Sequence, residues 1–212
     1  SNAGEFGEAE EERRAMILKI DLATGKETVF ASGIRNPVGM AIEPRSKALW
    51  TAVNERDHLG DDLVPDYITS VKEGAFYGWP WSYYGQHEDP RLKGQRPEMV
   101  ARAIAPDYAV GAHVSALGIL FGQPLKFPAR YRQGAFVARH GSWNRSEMNG
   151  YDVSFVAFRN GKPAGPLEPI LTGFAANGRV LGRPRALTRA KDGALLVVDD
   201  AAGTIWRVTS SS

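Results

Sequence analysis

Residues 185–208, RALTRAKDGALLVVDDAAGTIWRV, contain the pattern that decides the fold class. Two short apolar runs, 185–188 and 194–198, flank the turn-forming sequence AKDG, and a third run, 204–208, follows the sequence AAG. Short runs rich in Leu, Val, Ile and Trp that are separated by Gly- and Asp-containing turns are typical of antiparallel strands. This stretch therefore predicts a three-stranded antiparallel unit.

The same strand-turn-strand pattern recurs towards the N-terminus. Residues 17–31 and 39–53 repeat it, and a looser copy spans 117–138. Recurrence at uneven spacing favours an all-β fold built from propeller blades, although a β-sandwich would give a similar pattern. Residues 57–112 show no such periodicity, and an irregular stretch of this length is expected to serve a site or an interface.

The composition excludes several classes of function. The 212 residues include no cysteine, which rules out disulfides, thiolate metal sites and cysteine catalysis. Lys and Arg number 26 against 24 Asp and Glu, so the basic excess typical of nucleic-acid-binding and membrane-surface proteins is missing. No apolar run approaches the ~20 residues of a membrane span. We expect neither a nucleic-acid partner nor a membrane span.

The first fourteen residues are expected to lie outside the folded domain. Residues 1–3 (SNA) resemble the scar of a removed purification tag, and residues 4–14 contain five glutamates and little that is apolar. A strand-like run begins directly at Ala15. We therefore predict a disordered acidic tail over 1–14 and a partial propeller domain over 15–212, which opens inside a larger protein.

Five motifs, in order, resemble the soluble glucose/sorbosone dehydrogenases that depend on pyrroloquinoline quinone (PQQ), and the middle motifs are most similar to the L-sorbosone dehydrogenase branch. They are RNPVGMA at 35–41, NERDHLGDD at 54–62, FYGWP at 76–80, HGSWNR at 140–145 and GRPR at 182–185. The resemblance implies a six-bladed β-propeller of which this chain holds the C-terminal half, about three blades. It also implies PQQ and calcium as cofactors and a sugar as substrate, oxidised by hydride transfer to the quinone.

Arginines in two of these motifs are candidates to bind the three carboxylates of PQQ. Arg183 and Arg185 stand two apart at the start of a strand, which predicts that both side chains share one face. Salt bridges from this pair to Asp199 or Asp200 are the alternative. By resemblance, Arg35 lies over the quinone and stabilises negative charge as the cofactor takes up hydride, which would make Arg35 catalytic.

Five further residues are candidate cofactor contacts. The resemblance implies that Asn36 hydrogen-bonds the cofactor, while turn chemistry before Pro37 is the alternative. Trp143 offers a ring that can stack on a planar cofactor, and Asn144 or Arg145 could reach a carboxylate. A packed Trp beside a capped turn explains the same residues equally well. Asn54 directly precedes the candidate calcium loop.

Calcium is expected beside the quinone, because the resemblance places backbone carbonyls there as ligands. The matching positions are Glu55 and Arg56, where the glucose enzymes of the family have Gly-Pro, so this sequence departs from the pattern. Asp61, Asp62 and the carbonyl of Tyr77 could support the same ion or a structural one. Solvated or turn-forming acidic residues are the alternative.

The reaction also needs a general base. None of the four histidines stands where the family has its base, which is expected upstream of residue 15. His113 opens a strand-like run and is a substitute candidate for this catalytic role, with a structural role as the alternative.

Two functions follow from the sequence. The first is a fragment of a PQQ-dependent sugar dehydrogenase. We expect this chain to be inactive, because the general base and part of the surface that binds the cofactor are missing from it. The second is a non-catalytic propeller module that binds a carbohydrate or a protein partner. Open blade faces predict self-association, and residues 17–31 are expected to pair with 204–208 and so close the last blade. The resemblance implies a periplasmic or secreted protein.

Overall fold

The computed structural model describes residues 13–123 and 125–210, so most of the predicted acidic tail, residues 1–12, lies outside the described residues. The described residues form strands, one short helix α1 (Pro97–Arg102) and one 3₁₀ turn (Ala129–Tyr131). The first eight strands are β1 (Met16–Ile20), β2 (Glu27–Ser32), β3 (Pro37–Ile42), β4 (Leu49–Val53), β5 (Pro65–Ser70), β6 (Ser82–Tyr83), β7 (His87–Glu88) and β8 (Tyr108–Ala112). The remaining strands are β9 (Ala116–Phe121), β10 (Gly134–Arg139), β11 (Asp152–Arg159), β12 (Lys162–Leu171), β13 (Ala175–Ala176), β14 (Arg179–Val180), β15 (Pro184–Arg189), β16 (Leu195–Asp199) and β17 (Thr204–Val208).

The strands form four main antiparallel sheets in chain order. Sheet 1 pairs β1 with β2, sheet 2 has the order β3-β4-β5-β8, sheet 3 the order β9-β10-β11-β12, and sheet 4 the order β15-β16-β17. Two small hairpins, β6-β7 and β13-β14, lie in the connections. The all-β prediction is confirmed, and two of the sheets have the four strands of a complete propeller blade.

Successive sheets stack face to face through three apolar cores. Ile17 and Ala31 of sheet 1 pack with Val53 and Tyr67 of sheet 2. A second core joins sheets 2 and 3, and its largest side chain is the buried Trp50, which meets the rings of Phe121 and Phe158. The third core joins sheets 3 and 4; it includes Phe136, Phe155, Leu195 and Val197. Burial of these faces is the main force that holds the sheets in series.

The inner strands β3, β9 and β15 approach each other closely. A Cβ on Gly39 would lie 2.5 Å from the carbonyl oxygen of Leu117, and one on Gly118 would lie 2.9 Å from that of Arg185. Glycine is therefore required at both positions, because any side chain would push the neighbouring inner strand away. This approach brings the starts of the three inner strands together at one end of the sheets, which we call the site end.

The expectation that residues 17–31 close the last blade is wrong. β1 and β2 pair with each other, and β17 pairs with β16 alone among the described strands. The physical reason is position in the stack: sheet 1 packs on sheet 2, at the opposite end of the row from sheet 4. Among the residues that the structure describes, no helix has the length and apolar character needed to cross a membrane.

Candidate functional site

Arg35 occupies the loop before β3 and lies against the loop that follows β4. Its Nη1 donates to the carbonyl oxygen of Glu55 at 2.6 Å and to that of Asn54 at 3.3 Å. Its Nη2 pairs with Asp57 Oδ2 at 3.2 Å. The side chain retains 16% exposure, so it forms part of the surface of the site end. Arg35 therefore joins the 33–36 and 54–57 loops, which contain residues of two of the sequence motifs.

Arg56 has a structural role that the sequence did not predict. Its guanidinium is buried and donates to Asp89 Oδ2 at 2.8 Å and to the carbonyl oxygens of Pro80 and Ser82 at 3.0 and 2.6 Å, while its Nε pairs with Glu55 at 3.2 Å. Burial opposes ionisation of Asp89, but hydrogen bonds from Arg91 and Arg56 outweigh it and lower the pKa to about 2. This network fixes the 54–57 loop against the irregular segment after β5.

That irregular segment also supports the Arg35 loop from behind. The Tyr77 N–H donates to the Ser32 carbonyl and the Trp79 N–H to the Gly33 carbonyl, both at 2.9 Å. The long stretch without periodicity thus supports the site, as its length predicted. Tyr77 itself packs in the core between sheets 1 and 2, and its hydroxyl donates to the carbonyl of Ser70 at the far end of β5. The proposed role of the Tyr77 carbonyl as a calcium ligand stays a prediction.

His113 links the start of sheet 3 to the same loops. Its Nε2 lies 2.8 Å from the carbonyl oxygen of Gly60, which fixes the proton on Nε2, and its Nδ1 lies 3.6 Å from Asp57 Oδ1. The side chain is only 3% exposed. With both ring nitrogens facing protein acceptors, this geometry argues against His113 as the base and favours the structural alternative.

Several backbone conformations near His113 are strained. His58, His113 and Ser115 have φ of 66°, 56° and 51°, a region that non-glycine residues seldom adopt. Such strain persists only where surrounding contacts enforce it, and it concentrates at functional sites.

Arg145 and the acidic pair join sheets 2 and 3. Arg145 Nη1 donates to the Asp61 carbonyl and pairs with Asp62 Oδ1 at 3.1 Å, and the Ser146 N–H donates to the Asp61 carboxylate at 3.2 Å. The hydrogen bonds from Ser146 lower the pKa of Asp61. The aspartates thus anchor the loop after β10. Over 13–123 and 125–210, no group of three or more His, Cys, Asp or Glu residues is placed to hold a metal.

Arg183 and Arg185 lie at the start of sheet 4 and share a cluster with His140 and Asp200. Arg183 Nη1 donates to the carbonyls of His140 and Gly141 at 3.3 and 3.1 Å. His140 Nε2 lies 2.8 Å from Asp200, and Arg185 reaches Asp200 at 3.9 Å with 58% exposure. A register shift at Arg185 interrupts the strand alternation on which the shared face was predicted. The contact between Arg185 and Asp200 matches the alternative that the sequence left open, a salt bridge to Asp200.

Trp143 presents a ring at the site end. It is 65% exposed and its edge meets the ring of His58 at a centroid distance of 6.1 Å, across the junction of sheets 3 and 2. The alternative of a packed Trp is therefore wrong. Asn144 is half-buried beside it. Asn36 accepts the Asn54 N–H on its carbonyl at 3.2 Å, so these two candidates align the loops through the backbone.

Asp66 is the residue of this region that the sequence analysis missed. Its carboxylate is buried and accepts the N–H of Glu55 at 2.7 Å and that of Ala116 at 3.1 Å. Burial raises the pKa of Asp66 to about 7, even though both N–H groups favour the ionised form. Asp66 thereby ties the candidate cofactor loop to the first residue of β9. An aspartate inside the apolar run VPDYI was the available signal.

The geometry fits one of the two expected cofactors. Three guanidinium groups, those of Arg35, Arg183 and Arg185, and the exposed indole of Trp143 lie at one end of adjoining sheets, which suits a flat molecule with several carboxylates. The carbonyl of Glu55 was expected to bind calcium, but it and that of Asn54 already accept hydrogen bonds from Arg35. A calcium ion on the same oxygens would meet the guanidinium charge, so the Asn54 and Glu55 carbonyls do not form a ready calcium site; the Arg56 carbonyl, the second expected ligand, is not a partner of Arg35.

Comparison with known proteins agrees with this fold. A family model for glucose/sorbosone dehydrogenases matches residues 19–207. The chain is 33% identical over 199 residues to an uncharacterized protein of Borreliella burgdorferi (92% of this chain, 52% of that protein) and 32% identical over 110 residues to the aldose sugar dehydrogenase YliI of Escherichia coli (51% and 28%). The holo form of the pyranose dehydrogenase PQQ domain from Coprinopsis cinerea superposes with a TM-score of 0.77 at 20% identity, covering 95% of this chain and 63% of that one.

The fold is that of the PQQ-dependent sugar dehydrogenases. The chain belongs to the glucose/sorbosone dehydrogenase family. It spans about half the length of the Borreliella relative, 52%.

Proposed function

We propose that this chain carries a PQQ-binding surface of a sugar dehydrogenase, formed at the site end of sheets 2, 3 and 4. The observation that supports this most directly is that Arg35 precedes β3 while Arg183 and Arg185 lie at the start of β15, two inner strands that both approach β9, with the exposed Trp143 in the loop after β10. Bound PQQ would supply the ortho-quinone that accepts hydride from the sugar. The chain itself would bind and orient the cofactor.

The arginines would act as carboxylate receptors. Arg185 is the most exposed of the three and pairs only distantly with Asp200, at 3.9 Å, so a ligand carboxylate can compete for it. Arg183 is held by two carbonyls and packs 5.0 Å from the ring of Tyr151, which fixes its direction. A pre-placed cation needs little reorganisation when it binds an anion. Arg145 and Asn144 would lie at the rim beside the stacking ring of Trp143.

Proton removal from a sugar hydroxyl is not assigned to this chain. His113 holds Gly60 and faces Asp57, and we propose that it positions the 57–60 loop. Oxidation of an aldose or sorbosone-type sugar is therefore proposed for the whole family protein, of which this chain would be the inactive cofactor-binding part. A periplasmic or secreted location accords with this assignment.

Titration of the chain with PQQ, followed by quenching of tryptophan fluorescence, tests the proposal. Arg183→Gln and Arg185→Gln are expected to weaken binding about 10-fold each, since each removes one charge-assisted pair. Arg189→Gln is the matched control, because Arg189 is the last residue of β15, whereas Arg185 is its second, and so lies away from the site end. Absence of saturable binding, or equal losses in all three variants, would reject the site and favour a non-catalytic module that binds a carbohydrate or a protein partner.

We also propose that the chain self-associates through its open faces. Val38, Met40 and Ile42 on one face of β3 in sheet 2 are 40, 54 and 54% exposed, and Ile205 and Trp206 of β17 in sheet 4 are 66 and 45% exposed. The proposed occupant is a second copy, because sheets 2 and 4 both carry exposed apolar residues and two copies together match the length of the Borreliella relative.

A further inference from the structure

Arg35 is surrounded by the kind of oxygen ligands that a hard cation takes in proteins. The Asn54 and Glu55 carbonyls and the Asp57 carboxylate lie 3.3, 2.6 and 3.2 Å from its terminal nitrogens. Two carbonyls and one carboxylate are also typical calcium ligands. The guanidinium thus uses the Glu55 carbonyl, one of the two at which calcium is expected, together with the neighbouring Asn54 carbonyl and the Asp57 carboxylate.

Hydrogen bonds from three neighbouring segments hold the 54–57 loop, which carries these oxygens. The Glu55 N–H binds Asp66 at 2.7 Å, and the Asn54 N–H binds the Asn36 carbonyl at 3.2 Å. The side chain of Arg56 ties the next residue to the segment after β5. The carbonyls are therefore directed at Arg35 by the fold, and Arg35 need not distort the loop to reach them.

We infer that the guanidinium of Arg35 replaces a divalent cation at the Asn54–Glu55 carbonyls, so that this chain binds its anionic cofactor without resident calcium. The positive charge beside the cofactor then comes from an arginine, which is charged at all accessible pH values. A divalent ion that approaches the same oxygens is repelled at contact distance. The inference rests on the proposed function for the identity of the anion, but the exclusion of calcium is a property of the chain alone.

Calorimetric titration of the metal-free chain with calcium chloride alone tests the exclusion. We expect no binding in the range of about 10⁻³ M or tighter for the wild-type chain, and a gained site of that strength in Arg35→Gln. Arg35→Lys is the matched control: it keeps the charge and is expected to exclude calcium as the wild type does. Circular dichroism checks that each variant is folded.

Two outcomes would overturn the inference. Calcium binding by the wild-type chain would show that Arg35 does not exclude the ion. Absence of binding in folded Arg35→Gln would show that these carbonyls are not a cation position at all.

A second titration, with PQQ in the presence of a chelator or of added calcium, separates this inference from the proposed function. Equal affinity under both conditions supports the inference, whereas binding that appears only with calcium rejects it. Failure of PQQ to bind under either condition rejects the proposed function. The calcium titration still decides whether Arg35 excludes calcium from these oxygens.

Discussion

Asp66 illustrates how one side chain can couple folding to pH in this protein. Its carboxyl group lies between sheets 2 and 3, where burial raises its pKa from 3.8 to about 7. In the folded chain it binds a proton between these two values, and in the unfolded chain it does not. Stability from this group is therefore fully present below about pH 4 and is lost as the pH rises to about 7.

We predict that the wild-type chain is less stable at pH 8 than at pH 5, with an Asp66 contribution of at most about 3 kcal/mol, since about two pH units separate pH 5 from the folded pKa of about 7 and each corresponds to 1.36 kcal/mol. Urea unfolding at both pH values measures this. Asp66→Asn should lose most of the pH dependence, while Glu73→Gln, at an exposed carboxylate of the next connection, should keep it. The same pH dependence in wild type and Asp66→Asn would mean that Asp66 stays ionised in the fold.

At the scale of elements, the segment between β5 and β8 acts as a support for the cofactor loops. We predict that Arg56→Met destabilises the chain by about 3–5 kcal/mol, because it removes the ion-pair partner of the buried Glu55 and one of the two arginines that bind the buried Asp89. Chemical denaturation of Arg56→Met, Asp89→Asn and the double variant forms the cycle that measures the coupling. Strictly additive losses would show that the two side chains contribute independently.

The inner strands give a second prediction at this scale. Gly39→Ala should cost about 3 kcal/mol or more, because the added methyl meets a backbone oxygen of β9 that cannot move without shifting the strand. Gly74→Ala is the comparison: its φ is +75° but no atom lies within 4 Å of the added Cβ. We expect thermal melting to show a much larger decrease for Gly39→Ala, and similar decreases in both would contradict the close approach.

At the scale of the whole molecule, the row of four sheets has no partner on its two outer faces in the described structure. We predict that light scattering of the chain gives the mass of a dimer, since a second copy can cover the apolar face of β3. Met40→Glu places a charge on that face and is expected to give a monomer. Leu22→Glu is the control, since Leu22 is 97% exposed on the turn between β1 and β2. A monomeric wild type at micromolar concentration would reject self-association.

The sequence predicted more of the fold than of the site. Residues 185–208 form the predicted three strands, and the units at 17–31, 39–53 and 117–138 are all antiparallel pairs. These pairings are local, with short turns such as Asp21–Lys26, whose Asp21 carboxylate accepts the Ala23 and Thr24 N–H groups. What failed was a long-range pairing, that of 17–31 with 204–208, because strand propensity does not specify which edge a strand meets.

By itself, the sequence determined the all-β class, the order of the short antiparallel units and the residues that mark the family. These depend on side-chain alternation and turn chemistry, which act over a few residues. Only the tertiary structure decided that Arg35 binds the Glu55 carbonyl, one of the two expected calcium ligands, that Arg56 is buried in an ion-pair network, and that His113 faces the loop of Asp57. Each of these roles depends on contacts between segments that are distant in sequence. The packing of the sheets brings these segments together, and spacing along the chain does not predict it.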